Sequence, residues 1–407
     1  MKKFVTTVVP ALVAVVLFGL QLTRASVQLT PPQQQIPESY FGFHFVPGNT
    51  PWPSVPVGSW RLWDSSTRWP DIEPSKGHWN FNGVDRAVNL AQQHNTEVLL
   101  TLAVTPQWAS AHPDLKSGWQ QPGLTSEPTS IDDWRSFVTQ VATRYKGKIN
   151  AYEIWNEPNL KQYWMGNTDQ IIALTRTARD AIKAVDPNAL IVSPAATTSG
   201  GVGWLDDFLS KGGGQYVDVI GYHFYVHPQA PEAMTDLAQR VKQAMQKNGV
   251  GNKPVWCTEI GWSDPKPFPS DELAAAYVAR TYTVSWAAGV SRVFWYAWDN
   301  HKWASLQTTQ ADNQTLTPAG QADGVIQQWM SGARMDSCNK GDDNTWSCQL
   351  DRNGAKQWIV WNASGSKGFS VPSSWHATSM TPLLGQPQPL SGSKVQIGPT
   401  PALLTTQ

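Results

Sequence analysis

The chain has 407 residues, enough for one large domain with a smaller one beside it. Its 31 Lys plus Arg balance 31 Asp plus Glu, which removes the basic footprint a nucleic-acid binder needs. Only 15% of residues are charged and 44 are aromatic, 22 of them Trp, so the composition is also the reverse of a disordered chain. That many Trp rings suit a large core or surfaces that stack on flat, uncharged ligands.

Met1-Lys2-Lys3 is a short positive region, and Phe4–Leu20 is a mainly apolar run interrupted by Pro10. Ala25 offers a small residue at a cleavage point, so residues 1–25 read as a secretory signal peptide or, if uncleaved, a membrane anchor. The bulk of the chain is then expected outside the cytoplasm, secreted, periplasmic or anchored. Residues 26–39 are rich in Pro and Gln and read as a linker.

Eight β-type runs follow: Tyr40–Phe45, Ser59–Trp63, Glu97–Ala103, Ala151–Trp155, Leu190–Ser193, Val217–Phe224, Val255–Glu259 and Val293–Trp298. Helix-period segments lie between most of them. In Ile131–Tyr145 the apolar residues Trp134, Phe137, Val138 and Val141 share one face behind Ser130 as N-cap. Asp169–Val185 stops at Asp186-Pro187, and Glu272–Ala288 is closed by Gly289. This alternation predicts an α/β fold, a (β/α)8 TIM barrel over residues 40–330. A doubly wound sheet is the alternative, but no Gly-rich turn follows the first strand. Residues 331–407 carry short β runs between turns and predict a small C-terminal β-rich, sandwich-like domain. Cys338 and Cys348 within it are expected to pair, whereas Cys257 sits in an apolar run as a buried thiol. Without a C-x-x-C pair or H-E-x-x-H motif, neither a metal site nor a cofactor is expected.

Barrel chemistry sits where strands end at the C-terminal face. There the fourth strand ends Trp155-Asn156-Glu157-Pro158-Asn159 and the seventh Thr258-Glu259-Ile260-Gly261-Trp262. Two strand-end carboxylates are what glycosidic cleavage requires, one as proton donor and one as nucleophile or base.

W-N-E-P-N with T-E-I-G-W resembles the (β/α)8 retaining glycosidases. Y-E-I-W-N-E-P-N-L is most similar to glycoside hydrolase family 39, which includes β-xylosidases and exopolysaccharide endoglycosidases. The resemblance spans residues 40–330. It implies Glu157 as general acid/base, Glu259 as nucleophile, and Asn156 as hydrogen-bond partner of the substrate 2-hydroxyl. It also implies sugar or nucleophile contacts from His223 and Tyr225, and an aromatic platform at Trp298 under the reacting sugar. Arg61 resembles the arginine that holds the nucleophile, although Glu153 is an equal candidate for its partner. His44 is a further sugar-contact candidate, and Trp108, Trp164 and Trp303 lie on active-face loops where they could line a glycan cleft. The partner implied is a carbohydrate substrate, cleaved in endo fashion, with an exo-acting β-xylosidase type as alternative. Two other readings stand beside these: a non-catalytic glycan-binding barrel, and a metal-dependent hydrolase built on His44, His223 and His227.

Overall fold

The computed structural model describes residues 27–46, 50–118 and 121–406. The expected signal segment lies outside the described residues. Among the described residues no helix is long and apolar enough to cross a membrane.

Eight parallel strands form the centre: β1 (Phe41–Phe43), β2 (Ser59–Leu62), β3 (Glu97–Leu102), β4 (Ala151–Ile154), β5 (Leu190–Val192), β6 (Ile220–His223), β7 (Val255–Ile260) and β8 (Val290–Trp295). They pair in sequence, and β8 returns to β1 with Val293, Phe294 and Trp295 opposite Phe41, Gly42 and Phe43. The fifth strand is split. Leu190–Val192 pairs with β4, and Ala196–Thr197 pairs with β6. Between them Pro194 has no N–H to donate. The Ser193 N–H donates to the Val219 carbonyl at 2.9 Å and Val192 bridges Val219, so the ring still closes. The barrel is a TIM-type fold.

Helices cover the barrel where local signals place them. Ser130 caps Ile131–Arg144, accepting from the Asp132 N–H. Asn167 and Gln170 form a capping box on Thr168–Val185, and Ser270 caps Asp271–Ala287. Among the described residues the connection from β1 to β2 carries no helix.

Two expectations are corrected here. The eighth strand starts at Val290, not Val293. The strand takes in Ser291-Arg292, and Arg292 is buried because it pairs with Glu97 at 2.7 Å and lies 4.2 Å over the Trp256 ring. The strand therefore also ends three residues earlier, at Trp295. Nor is the segment before residue 40 wholly a linker. Val27–Leu29 pairs antiparallel with Lys340–Cys338, satisfying backbone groups of what would be a sheet edge.

Beyond the last barrel helix, Pro318–Met330, the chain adds six strands to Val27–Leu29 to make a seven-stranded antiparallel sheet, and forms a separate two-stranded one. One face of the larger sheet joins the barrel core through Met335, Trp346, Leu350, Ile359 and Trp361. Its other face buries Trp358, Val360 and Leu404 under Phe369, Val395 and Ile397 of the small sheet. Cys338 and Cys348 face each other across adjacent strands and are disulfide-bonded. The Trp361 indole donates to Glu232, which also pairs with the buried Arg280, so this layer is anchored to the barrel by a polar contact as well.

Candidate active site

Alternation along β4 points Glu153 into the barrel, while the chain turns sharply beyond Ile154 to present Glu157. Trp155 and Glu157 both have positive φ, 73° and 45°. For non-glycine residues that conformation costs on the order of 1–3 kcal/mol each and persists only where surroundings enforce it. Here they do: the Glu157 N–H donates to the Ala195 carbonyl at 2.9 Å, and the Trp155 indole donates to the Tyr163 carbonyl at 2.9 Å. Glu259 lies in β7, and the two carboxylates meet above the barrel core, 6% and 8% exposed.

One guanidinium organises the floor. Arg61, fully buried on β2, donates to Glu153 Oε2 through Nε at 2.8 Å and to Glu259 Oε2 through Nη1 at 2.8 Å. Its Nη2 also reaches Asn156 Oδ1 at 2.8 Å. The two partners the sequence left open, Glu153 and Glu259, are therefore both bound, and Thr101 adds a hydroxyl donor to Glu153 at 2.9 Å. The planar fork suits this shared role and a lysine does not. Removing it strands two buried carboxylates. Arg61→Leu is expected to cost about 3–5 kcal/mol of unfolding free energy in urea titration. Arg61→Lys keeps the charge and is expected to cost less while still lowering activity. Equal stability of Arg61→Leu and the wild type would show that the ion pairs carry no net weight.

Above this floor Tyr225 donates its hydroxyl to Glu259 Oε1 at 2.7 Å. His223 Nδ1 lies 2.8 Å from Glu157 Oε1 and 3.9 Å from Glu259 Oε2. Burial raises the Glu259 carboxyl, opposed by His223 and by Arg61; the charge of Glu157 raises it further, while the Tyr225 hydroxyl pulls it back. One oxygen or nitrogen from each of Glu157, His223 and Glu259 falls within a 4.8 Å group, the only such trio of metal-capable donors among the described residues. Arg61, already seated on Glu259, puts a fixed positive charge where a cation would sit. Proton chemistry therefore suits the trio better than metal binding. The three histidines of the metal reading, His44, His223 and His227, do not form such a group.

The remaining expected residues divide. Trp303 is half-buried and stands edge-on to Tyr225 at 5.5 Å and to Tyr296 at 5.3 Å, forming a wall beside Glu259. Trp298 is not the expected platform. With β8 ending at Trp295, Trp298 turns inward, 1% exposed, against Phe43. Tyr296 takes the place beside the site, and a side chain on Gly261 would come within 2.0 Å of the Tyr296 carbonyl oxygen. Trp164 is 2% exposed and packs edge-on to Trp155, so it supports the turn bearing Glu157 rather than lining a cleft. Trp108 is tied to the Glu73 carbonyl and packs on Trp69. His44 is buried rather than sugar-facing: Nε2 bonds the Thr258 carbonyl at 3.1 Å, fixing the residue before Glu259. Burial, with Arg61 nearby, lowers its imidazole well below the usual histidine range.

The comparisons agree with this architecture. Residues 55–301 match the family model described as Cellulase (glycosyl hydrolase family 5). A β-xylosidase of Caldicellulosiruptor saccharolyticus is 27% identical over 228 residues, 50% of this chain and 45% of that protein. The chain thus spans about half the length of the curated relatives it matches first. A family 39 glycoside hydrolase from Bacteroides cellulosilyticus WH2 superposes with a TM-score of 0.72 at 19% identity, covering 93% of this chain and 82% of its own. A monomeric β-xylosidase from Caulobacter crescentus CB15 does so with 0.65 at 15% identity, covering 93% and 98%. With more than half its length in the family model and catalytic-type carboxylates at the ends of β4 and β7, the chain belongs to the cellulase (glycosyl hydrolase family 5) family of glycoside hydrolases, on the fold shared by family 39 enzymes.

Proposed function

We propose that this glycoside hydrolase cleaves β-glycosidic bonds of a poly- or oligosaccharide by double displacement, with retained configuration. The observation that carries the reading is the close approach of Glu157 and Glu259 within the 4.8 Å donor group. Retaining enzymes set their carboxyl groups about 5–5.5 Å apart, whereas inverting enzymes leave about 6.5–9.5 Å for a water.

Glu157 begins protonated and passes its proton to the glycosidic oxygen as the C–O bond breaks. A carboxylate oxygen of Glu259 bonds to the anomeric carbon, and the leaving alcohol departs over Glu157. Glu157, now a carboxylate, takes a proton from a water whose oxygen displaces Glu259 from the same carbon. Arg61 and Tyr225 keep Glu259 ionised and aimed. Asn156, with Oδ1 bound by Arg61, has its amide N–H groups left to donate to the sugar 2-hydroxyl.

Endo action on a β-linked chain is the preferred form. Two cavities on the catalytic face support it. One of about 440 Å3 lies between the loops after β3 and β4, and one of about 570 Å3 lies between the loops after β5 and β6 with Tyr225 in its wall. Both give room for sugars beyond the reacting one. Exo action is the second reading, favoured by the two relatives named β-xylosidase. Export from the cytoplasm is supported by the residue 1–25 pattern and by the disulfide, a bond that persists in oxidising compartments.

The test is reducing-sugar release with product sizing on xylan, β-glucans and β-linked exopolysaccharides. A ladder of oligosaccharides is the expected early product; monosaccharide alone would overturn endo action. Binding without turnover on any glycan would overturn the enzyme reading in favour of a binding barrel.

A further inference from the structure

Around the barrel, Glu157 at the end of β4 stands opposite β8. Because the leaving group departs over Glu157, the retained sugar lies toward the side formed by β8, β1 and β2. That side carries its own polar device, which the reaction above does not use. Asp64, two residues beyond β2, is exposed, and its Oδ2 accepts the Tyr296 hydroxyl at 2.8 Å. The Asn300 side-chain amide donates to the same Tyr296 oxygen at 3.0 Å. Asp299 accepts the Val46 N–H at 2.9 Å and the Thr50 hydroxyl. Loops after β1, β2 and β8 are thereby tied together around two carboxylates.

Asp64 shares the electrostatic surroundings of the catalytic pair, and Asp299 is its acidic neighbour. The Tyr163 phenol, raised first by burial, is raised further by Glu157, Glu259 and Asp64. The Tyr296 phenol is raised by burial and then by Asp64 and Glu259. Among the described residues no Lys, Arg or His nitrogen lies within ion-pairing distance of Asp64 or Asp299. Arg61, the one cation in the floor, is already bonded to Glu153 and Glu259. Around the site, the five acidic side chains Glu153, Glu157, Glu259, Asp64 and Asp299 thus face Arg61 and His223 as the only basic groups the site itself supplies among the described residues.

Resting on the glycosidase reading, we propose that Asp64 is a specificity-determining residue: its carboxylate accepts hydroxyls of the retained sugar, and with Asp299 it selects uncharged sugars over uronic acids there. Tyr296 fixes one oxygen of Asp64 and leaves Oδ1 to accept. A charged acceptor bonds sugar hydroxyls more strongly than a neutral one. The same charges, with no cation paired to them among the described residues, repel a sugar carboxylate.

The test compares cellotriose with its C6-oxidised counterpart, which shares the backbone but carries carboxylates. Binding is measured by calorimetry in the cleavage-silenced Glu259→Ala background, with and without Asp64→Asn. Asn retains an acceptor for Tyr296 and removes only the charge. Expected is tighter binding of cellotriose than of the oxidised chain by tenfold or more, and a roughly 10- to 100-fold loss of cellotriose affinity on Asp64→Asn. The preference should also collapse in that variant, and should weaken with salt in the parent. An unchanged preference after Asp64→Asn, or no binding of cellotriose by the parent, overturns the proposal. Hydrolysis by the wild-type chain is read separately, so loss of the glycosidase reading remains distinguishable from loss of this one.

Discussion

Glu259→Ala is expected to abolish turnover, on the order of 10^5-fold or more, because no other group is placed to bond the anomeric carbon. Glu157→Ala should behave differently. On substrates with poor leaving groups it should lose about 10^2- to 10^4-fold, the usual contribution of a general acid. On activated aryl β-glycosides, whose leaving group needs no proton, bond cleavage should persist, and a glycosyl-enzyme should accumulate as a burst. Azide separates the two roles by stereochemistry. In Glu157→Ala it should intercept the covalent intermediate and give the β-glycosyl azide. In Glu259→Ala it should occupy the vacated place and give the α-azide. A Glu157→Ala loss independent of the leaving group would unseat that residue as the acid. The acid limb of kcat/KM should lie above 4.5, the ordinary glutamate value, since burial lifts the Glu259 carboxyl more than Arg61, His223 and Tyr225 together lower it.

The parts of this molecule legible in sequence are those set locally. Ser130, Asn167 and Ser270 announce helix starts because a cap needs only its own next few residues. The carboxylates were legible because a barrel strand has one active end, so W-N-E-P-N and T-E-I-G-W could be placed without knowing any distance. What failed depended on distance. Arg61 bonds partners 92 and 198 positions away, and only packing shows that one guanidinium reaches both. Asp64 and Tyr296 meet across 232 positions of chain, with Asn300 beside them, and no local pattern marks them. The Trp298 error has a different origin. Arg292 joins the strand through its long-range pairing with Glu97, and placing the start of β8 three residues late put Trp298 where Trp295 belongs. Val27–Leu29 was read as linker because its partner strand lies some three hundred residues away.

The same limit hides a carboxyl whose effect is on stability. Asp323, in the helix Pro318–Met330, carries no sequence signal that sets it apart from a surface acid and is fully buried. It accepts the Tyr282 hydroxyl at 3.1 Å and the Gln327 amide at 2.6 Å, with no cation beside it among the described residues. Burial pushes its carboxyl up to about 7, against 3.8 when unfolded, although both hydrogen bonds lower it. Between pH 4 and 7 the folded chain therefore holds a proton that the unfolded chain has released. Stability from this group is fully present below pH 4 and is lost as pH rises through 7, a change on the order of 4 kcal/mol. Asp323→Asn removes the titration while keeping one donor and one acceptor. The variant should match the wild type within about 1 kcal/mol at pH 4. Its advantage should grow with pH and level off above 7. Urea unfolding of both chains at pH 4, 5.5, 7 and 8 measures this difference directly, and the subtraction cancels every other titrating group. A difference that stays constant across those values would mean that Asp323 is ionised in the fold, its burial offset by Tyr282 and Gln327 alone.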